Sequence, residues 1–375
     1  MKIGFVLLSS SKKPQPSTRI AVLNMLPFLH GEGIQAELVF DPEHESEVPN
    51  LNGLAQRLIS EKFDCVYFQK VHGASVQACV RDLSKAGIVT IHGVCDLVDV
   101  ELAQLVDLAL VPTEFMKSLY PIRLQDKIRV VHDGIESPDE RKQEWGDQPG
   151  SCRNPLRAVL VTSSNLHRLP VLLSPPSWLS VTIVGRYPPA GDWKQRFRES
   201  RWAFQKMGSL HERLAHLGLL VHPRIKTEMW DAKSVYLAMQ NADIGIIPIE
   251  RPSELAKGTS VPIWQVKSEN RLTLKMAFGL PVVATPIPSY ESVMESGKNG
   301  FFADSRADWL RNLEILRDPA ARREIGNLAR ASVVGRYSVQ EQARRLVEAL
   351  QSVIVQGNAR HRCLGKLCTS NLHVA

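Results

Sequence analysis

The sequence predicts an α/β protein of two doubly wound, Rossmann-like lobes facing a central cleft, and three observations carry that expectation. Apolar runs of strand length alternate with helix-period segments from the first residue onward. The alternation lapses in a polar stretch around Glu144 and then begins again. A chain of 375 residues also exceeds what one hydrophobic core usually organises, which favours lobes of roughly 150 to 200 residues each.

The first lobe, residues 1–136, opens with a strand over 2–8 and a helix over 17–30, N-capped by Ser17 and bent at Pro27. Strands follow over 35–40, 63–69, 88–91, 108–111 and 127–131, with helices over 51–62 and 75–86. This βα order implies parallel strands, because only a crossover brings the chain back to the same edge. Residues 137–155 are polar, contain Pro and Gly and lack a period, so they read as a linker. The second lobe, 156–337, repeats the scheme with strands over 156–162, 180–184, 219–222, 244–249, 281–285 and 300–303. Asp318 and Pro319 open a late helix. Ser338 and Glu341 then form a capping box for a helix over 338–356, whose residues Val339, Ala343, Leu346, Val347, Leu350 and Ile354 share one face. The period is lost from Gly357, and residues 357–375 are expected to form a mobile tail. Open parallel sheets bind ligands beyond the carboxyl ends of their strands, so the cleft is where function is expected.

Composition narrows the class. With 44% hydrophobic and 23% charged residues the chain is an ordinary globular protein. Its net charge of +7 and pI near 9.1 suit polyanions, nucleotide phosphates or anionic lipid. The most apolar long segment, 87–112, is interrupted by His92, Asp96, Asp99, Glu101 and Asp107, so no membrane span is expected. The apolar run at the N-terminus is too short for a signal peptide and reads as the first strand. Six cysteines without a CxxC pair or His-Cys spacing point to reduced thiols in a cytoplasm, and no carboxylate cluster suggests a metal.

The stretch KSENRLTLKMAFGLPVV, residues 267–283, holds the clearest chemistry. Ser268 is a good N-cap for a helix over 269–278, Gly279 a left-handed stop, and Pro281 bars continuation. A helix N-terminus offers backbone N–H groups and partial positive charge, and Lys267 and Arg271 beside it would make an anion site fit for a diphosphate. Taken alone, the same pattern also suits a capped surface helix with two nearby cations.

The longer segment KSENRLTLKMAFGLPVVATPIPSYESVMESGKNGFFA resembles the nucleotide-sugar-binding half of the GT-B glycosyltransferases, in the large retaining group called family 4-like or group 1. The pattern S-x-N-K/R-L is met at Ser268, Asn270, Arg271 and Leu272. M-A-x-G-L-P-V-V-A-T is met from Met276 to Thr285, E-x-V at Glu291 and Val293, and G-x-N-G-F at Gly297, Asn299, Gly300 and Phe301. DIGIIP before Ile249, SVTIVGRYP around Gly185 and RVVHDGI before Glu136 are similar to further parts of the same fold, whose last helix crosses back to the first lobe.

The resemblance implies a nucleotide-sugar donor as co-substrate, of unknown base, and no other cofactor. It implies transfer to an acceptor hydroxyl when the lobes close, with retention and without metal. Lys267, Ser268, Asn270, Arg271, Glu250, Lys257, Gly185 and Arg186 would be the donor-binding residues, and His92 in IVTIHGV the catalytic contact to the sugar. Ser17, Arg19 and His72 would serve the acceptor side. The acceptor would be lipid-linked or a small glycoside, with no role for nucleic acid.

One departure stands out. Many members place a pair of glutamates around this helix, and Val266 and Leu274 occupy those places here. That opens two alternatives, a GT-B pseudoenzyme serving as a scaffold and a sugar-nucleotide epimerase. Finally, DWKQRFRESRWAFQK, residues 192–206, interleaves cations with aromatics. Either its aromatics enter the core, or it makes a peripheral contact at the inner face of a membrane.

Overall fold

The computed structural model describes residues 1–163, 166, 168–188 and 192–370, without the side chains of 193, 206 and 355–370. Its strands form two six-stranded sheets in which every pairing is parallel. The first sheet contains β1 (Lys2–Val6), β2 (Gln35–Phe40), β3 (Cys65–Gln69), β4 (Val89–Gly93), β5 (Leu108–Val111) and β6 (Ile128–Val130), in the order β2-β1-β3-β4-β5-β6. The order reverses between β1 and β3, the position at which open parallel sheets usually bind ligands. The strands read as continuous apolar runs because both faces are covered. On one face Val66 and Phe68 meet Leu54, Leu58, Val76 and Val80 of two crossover helices. On the other, Ile3, Phe5 and Ile91 meet Val22, Leu29, Ala343, Leu346 and Leu350.

The second sheet contains β7 (Leu156–Val161), β8 (Leu179–Gly185), β9 (Ile225–Met229), β10 (Ile244–Ile247), β11 (Val282–Ala284) and β12 (Phe301–Phe302), in the order β12-β11-β10-β7-β8-β9. Its switch point lies between β7 and β10. Trp309, Leu313 and Leu316 cover one face. Met239, Phe278 and Leu280 cover the other.

Contacts divide the chain into one unit of 1–136, 253–268 and 337–375 and a second of 137–252 and 269–336. Two boundaries differ from the sequence expectation. Residues 253–268, expected in the second lobe, belong to the first unit, because Ala256 and Val266 enter its core and Val98 N–H donates to the Lys257 carbonyl at 3.0 Å. Residues 137–155, expected as a linker, pack on the second unit. The fully buried Arg322 guanidinium donates to the carbonyls of Gly146 (2.7 Å) and Gln148 (2.9 Å), and Arg330 donates to that of Pro138. Such charge-assisted bonds to main-chain oxygens hold an irregular segment that has no ladder of its own.

Local corrections have local causes. Residues 219–222 are not a strand: Ser209 and Glu212 form a reciprocal capping box for the helix Leu210–Val221, and the strand follows as β9. The expected helix over 17–30 is broken into Pro16–Thr18, a π-helical turn Arg19–Leu23 and Leu26–Gly31. Ser17 therefore lies inside the first turn, and Pro27 opens a new helix where no intrahelical N–H is needed. The last helix runs Val339–Ser370, so its backbone passes through Gly357 where a tail was expected; 371–375 lie outside the described residues.

Candidate active site

In the first unit, the loops leaving β1 and β3 are tied by a buried polar chain. Gln69 Oε1 accepts from Leu8 N–H (3.1 Å) and the Thr18 hydroxyl (3.0 Å), and Ser9 donates to Thr18 Oγ1 (2.8 Å). Ser17, on the next position, lines a narrow recess with Tyr67, Lys70, Gly93, His132 and Asp133. Gly93 is required there, since a Cβ would come within 1.9 Å of the Tyr67 hydroxyl. Arg19 is committed elsewhere: its guanidinium holds Glu136 through two bonds, of 2.6 and 3.1 Å, and Asn24 donates to the same carboxylate.

His92 ends β4 next to Gly93 and is 1% exposed. Neither ring nitrogen has a hydrogen-bond partner of normal geometry. Burial pushes its pKa down to about 4, with nearby Asp99 opposing and His72 assisting, so the ring is neutral at neutral pH.

His72 follows β3 and is partly buried. Lys257 Nζ lies 2.9 Å from its Nε2, and Glu47 Oε2 lies 3.5 Å from Lys257 Nζ and 3.6 Å from His72 Nε2. Lys257, expected at the donor, is thus held in the first unit. Gly258 makes that possible: its φ is +77°, and a Cβ would come within 1.9 Å of the Val98 carbonyl. Beside it Lys70 pairs with Asp96 at 2.9 Å.

In the second unit the helix Asn270–Ala277 begins one residue later than expected. Glu269 stands at the N-cap without a side-chain cap bond, and the Glu269 carbonyl receives Leu272 and Thr273 N–H at 2.8 and 3.0 Å, so Ser268 is not the cap. As at any helix start, the first-turn N–H groups have no intrahelical acceptor. Lys267 and Ser268 are counted with the first unit, Asn270 and Arg271 with the second. Arg271 is half-buried and donates from Nη2 to Ser163 Oγ at 3.1 Å, just past β7. That places a cation at the β7/β10 switch point.

An open hollow of about 520 Å³ is lined by Arg168, Glu250, Arg251, Thr285 and Asp304, all beyond the carboxyl ends of strands. Glu250 there pairs with Arg168 at 3.1 Å, and Arg251 with Asp304 at 2.6 Å. Gly185 is the buried end of β8, its carbonyl receiving Trp230 N–H at 2.8 Å, while Arg186 is exposed. Among the described residues, no group of three or more His, Cys, Asp or Glu could hold a metal ion.

Sequence reasoning passed over Lys275, which is wholly buried. Its ammonium donates to the Arg271 carbonyl at 3.3 Å, and burial, with Arg271 adding, pushes its pKa down to about 7. Its stem lies over Gly245 of β10, where a Cβ would come within 2.9 Å of Cδ. Two signals could have found it: a lysine three positions after core Leu272, and a glycine inside a central strand.

Two sequence families match. Residues 69–138 match the glycosyl transferase family 4 group and residues 179–348 the glycosyl transferase-like family. A comparison with curated proteins finds no match. Among solved structures, HepE of Anabaena in complex with UDP and glucose is 16% identical over 94% of this chain and 100% of its own, with a TM-score of 0.63. Sucrose-phosphate synthase of Thermosynechococcus elongatus is 12% identical over 95% and 99%, at 0.61. A glycosyltransferase of Rickettsia africae is 12% identical over 94% and 98%, also at 0.61. At such identities the likeness speaks for the fold, whose paired parallel sheets are those described above. With both matched segments pointing the same way, the chain carries glycosyl transferase family 4 and glycosyl transferase-like regions on a GT-B fold, and is a nucleotide-sugar-dependent glycosyltransferase.

Proposed function

We propose that this enzyme moves a hexosyl group from a UDP-sugar to an acceptor hydroxyl, with retention and without a metal. One observation carries the reading: Arg271, in the first turn of the helix Asn270–Ala277, reaches Ser163 at the switch point of the second sheet. A guanidinium and first-turn N–H groups together can stabilise the negative charge that grows on a leaving diphosphate, which is the electrostatic part of the reaction. UDP as the leaving nucleotide is supported by HepE, which was solved with UDP and with UDP-glucose. Asn270, Glu250, Gly185 and Arg186, all of the second unit, complete the proposed donor side.

His92 is proposed as the group that hydrogen-bonds the transferred sugar, supported by its place near the carboxyl end of β4, its burial and its neutral state. Ser17 and His72 are proposed for an acceptor that is lipid-linked or a small glycoside. Free thiols at Cys65, Cys79, Cys95 and Cys152 suit a reducing cytoplasm. No described helix is long and apolar enough to cross a membrane.

The test is a panel of UDP-, GDP- and other nucleotide-sugars, followed by thermal shift and nucleotide release. Stabilisation and slow release of UDP with UDP-hexoses supports the proposal. A second reading is favoured by Leu274, which packs beside Tyr236 and Phe278 where relatives place a carboxylate. Stabilisation without release, in the presence of any acceptor, would make the protein a non-catalytic binding partner. Interconversion of donors without acceptor would make it an epimerase.

A further inference from the structure

The expectation that the aromatics of the helix Trp193–Lys206 enter the core holds for neither Phe197 nor Trp202, which are 74% and 60% exposed. Lys194, Arg198 and Arg201 are exposed as well. Positions 194, 197, 198, 201 and 202 recur at helical spacing, so these five side chains share one face turned to solvent, while Ala203 is buried behind them. No acid shares that face; Glu199 is partly buried and accepts from Gln195.

The following helix, Leu210–Val221, presents Leu210, Leu214, Leu217 and Val221 outward, at 72%, 59%, 42% and 77% exposure. Their spacing of four, three and four residues makes one continuous aliphatic stripe. Ring contact between Phe204 and His216, with centroids 5.9 Å apart, joins the two helices. Apolar exposure of this extent is unusual on a free surface and marks a docking face.

Charge complementarity selects the occupant. A second copy seated on this face would bring three cations against three cations with no acid to separate them. A nucleic acid would satisfy the cations and stack on the aromatics but leave the aliphatic stripe in water. A bilayer with anionic headgroups satisfies all of it, with cations at phosphate level, Trp202 and Phe197 at the interface and the aliphatic stripe toward the acyl boundary. We infer that the outward faces of these two helices seat the second unit on an anionic lipid surface.

Sedimentation of the full chain with phosphatidylcholine vesicles, with and without phosphatidylglycerol, tests the inference. The chain should pellet with the anionic vesicles, and added salt should release it. Arg198→Gln together with Arg201→Gln should lower the partition coefficient about 30-fold. Phe197→Ser with Trp202→Ser should lower it comparably, and neither pair, lying on a solvent face, should change the melting temperature or UDP-sugar stabilisation. The inference is overturned if the wild type ignores anionic vesicles. It is equally overturned if the variants bind vesicles as the wild type does and instead lose a dimer in the ultracentrifuge, or if only a single-stranded oligonucleotide is bound.

Discussion

Removing the Arg271 guanidinium should cost donor affinity far more than it costs the fold. In the free enzyme Arg271 keeps a neutral hydrogen bond to Ser163 at 3.1 Å, so Arg271→Ala should destabilise the second unit by only about 1 kcal/mol. Part of that loss is offset, because Arg271 also depresses the pKa of buried Lys275 beneath it. Against a diphosphate the same group makes charge-assisted bonds worth about 1.5–3 kcal/mol, so UDP should bind roughly 10- to 150-fold more weakly. Arg271→Lys keeps the charge and loses the planar fork, and should fall between the two. Ser163→Ala should leave the charge in place but unanchored, with a smaller loss. Titration calorimetry with UDP, beside urea unfolding of each variant, separates binding from folding. An Arg271→Ala protein that folds normally and binds UDP as the wild type does would refute the placement of the diphosphate at this helix.

Other outcomes follow from buried groups and tight glycines. His92 titrates near 4 when folded and near 6.5 when unfolded, so the unfolded chain takes up the proton first as pH falls. Stability should therefore be full above pH 6.5 and decline toward pH 4 by about 3 kcal/mol, a slope that urea unfolding of His92→Phe should lack. Lys275, near 7 folded and 10.5 unfolded, burdens the fold most at and below neutral pH. Lys275→Met should raise the melting temperature at pH 7, and the gain over wild type should shrink as pH rises toward 10.5; no gain at pH 7 would show the ammonium to be better compensated than its contacts indicate. Gly258→Ala forces a side chain into the left-handed region and against the Val98 carbonyl, and should cost about 2–3 kcal/mol while exposing residues 253–268 to protease. An unchanged cleavage pattern would mean that segment is not held at Val98.

How far the sequence could be read depended on whether a feature was local. Strand order, the DIGIIP strand β10 and the Gly-Leu-Pro stop after the helix Asn270–Ala277 were legible, because alternation, glycine and proline act over a few residues. The allegiance of residues 253–268 was not, since nothing in SELAKG announces that Ala256 and Val266 pack among residues two hundred positions earlier. The strand expected over 219–222 went wrong for a related reason: an aliphatic run of four fits helix or strand equally, and the capping box ten positions upstream decided it. Arg271 was singled out from its motif, whereas its bond to Ser163, the Arg168–Glu250 pair of the second unit and the Glu47 contact to Lys257 in the first appear only in the folded units. The pairing of Arg19 with Glu136, 117 positions later, was likewise invisible in the sequence.

The composition of the first unit sets an order for biosynthesis. Its central strands leave the ribosome before the second unit, yet Ala256 and Val266 are made only after most of that unit, and Ala343, Leu346 and Leu350, which cover Ile3 and Phe5, only after all of it. Residues 137–252 and 269–336 can close their own core while the first sheet still waits for a cover, so the unit begun first is finished second. That is the inverse of the amino-to-carboxyl order usual for nascent domains. Until residues 339–350 have emerged, one apolar face of β1, β3 and β4 is therefore left without its helical cover.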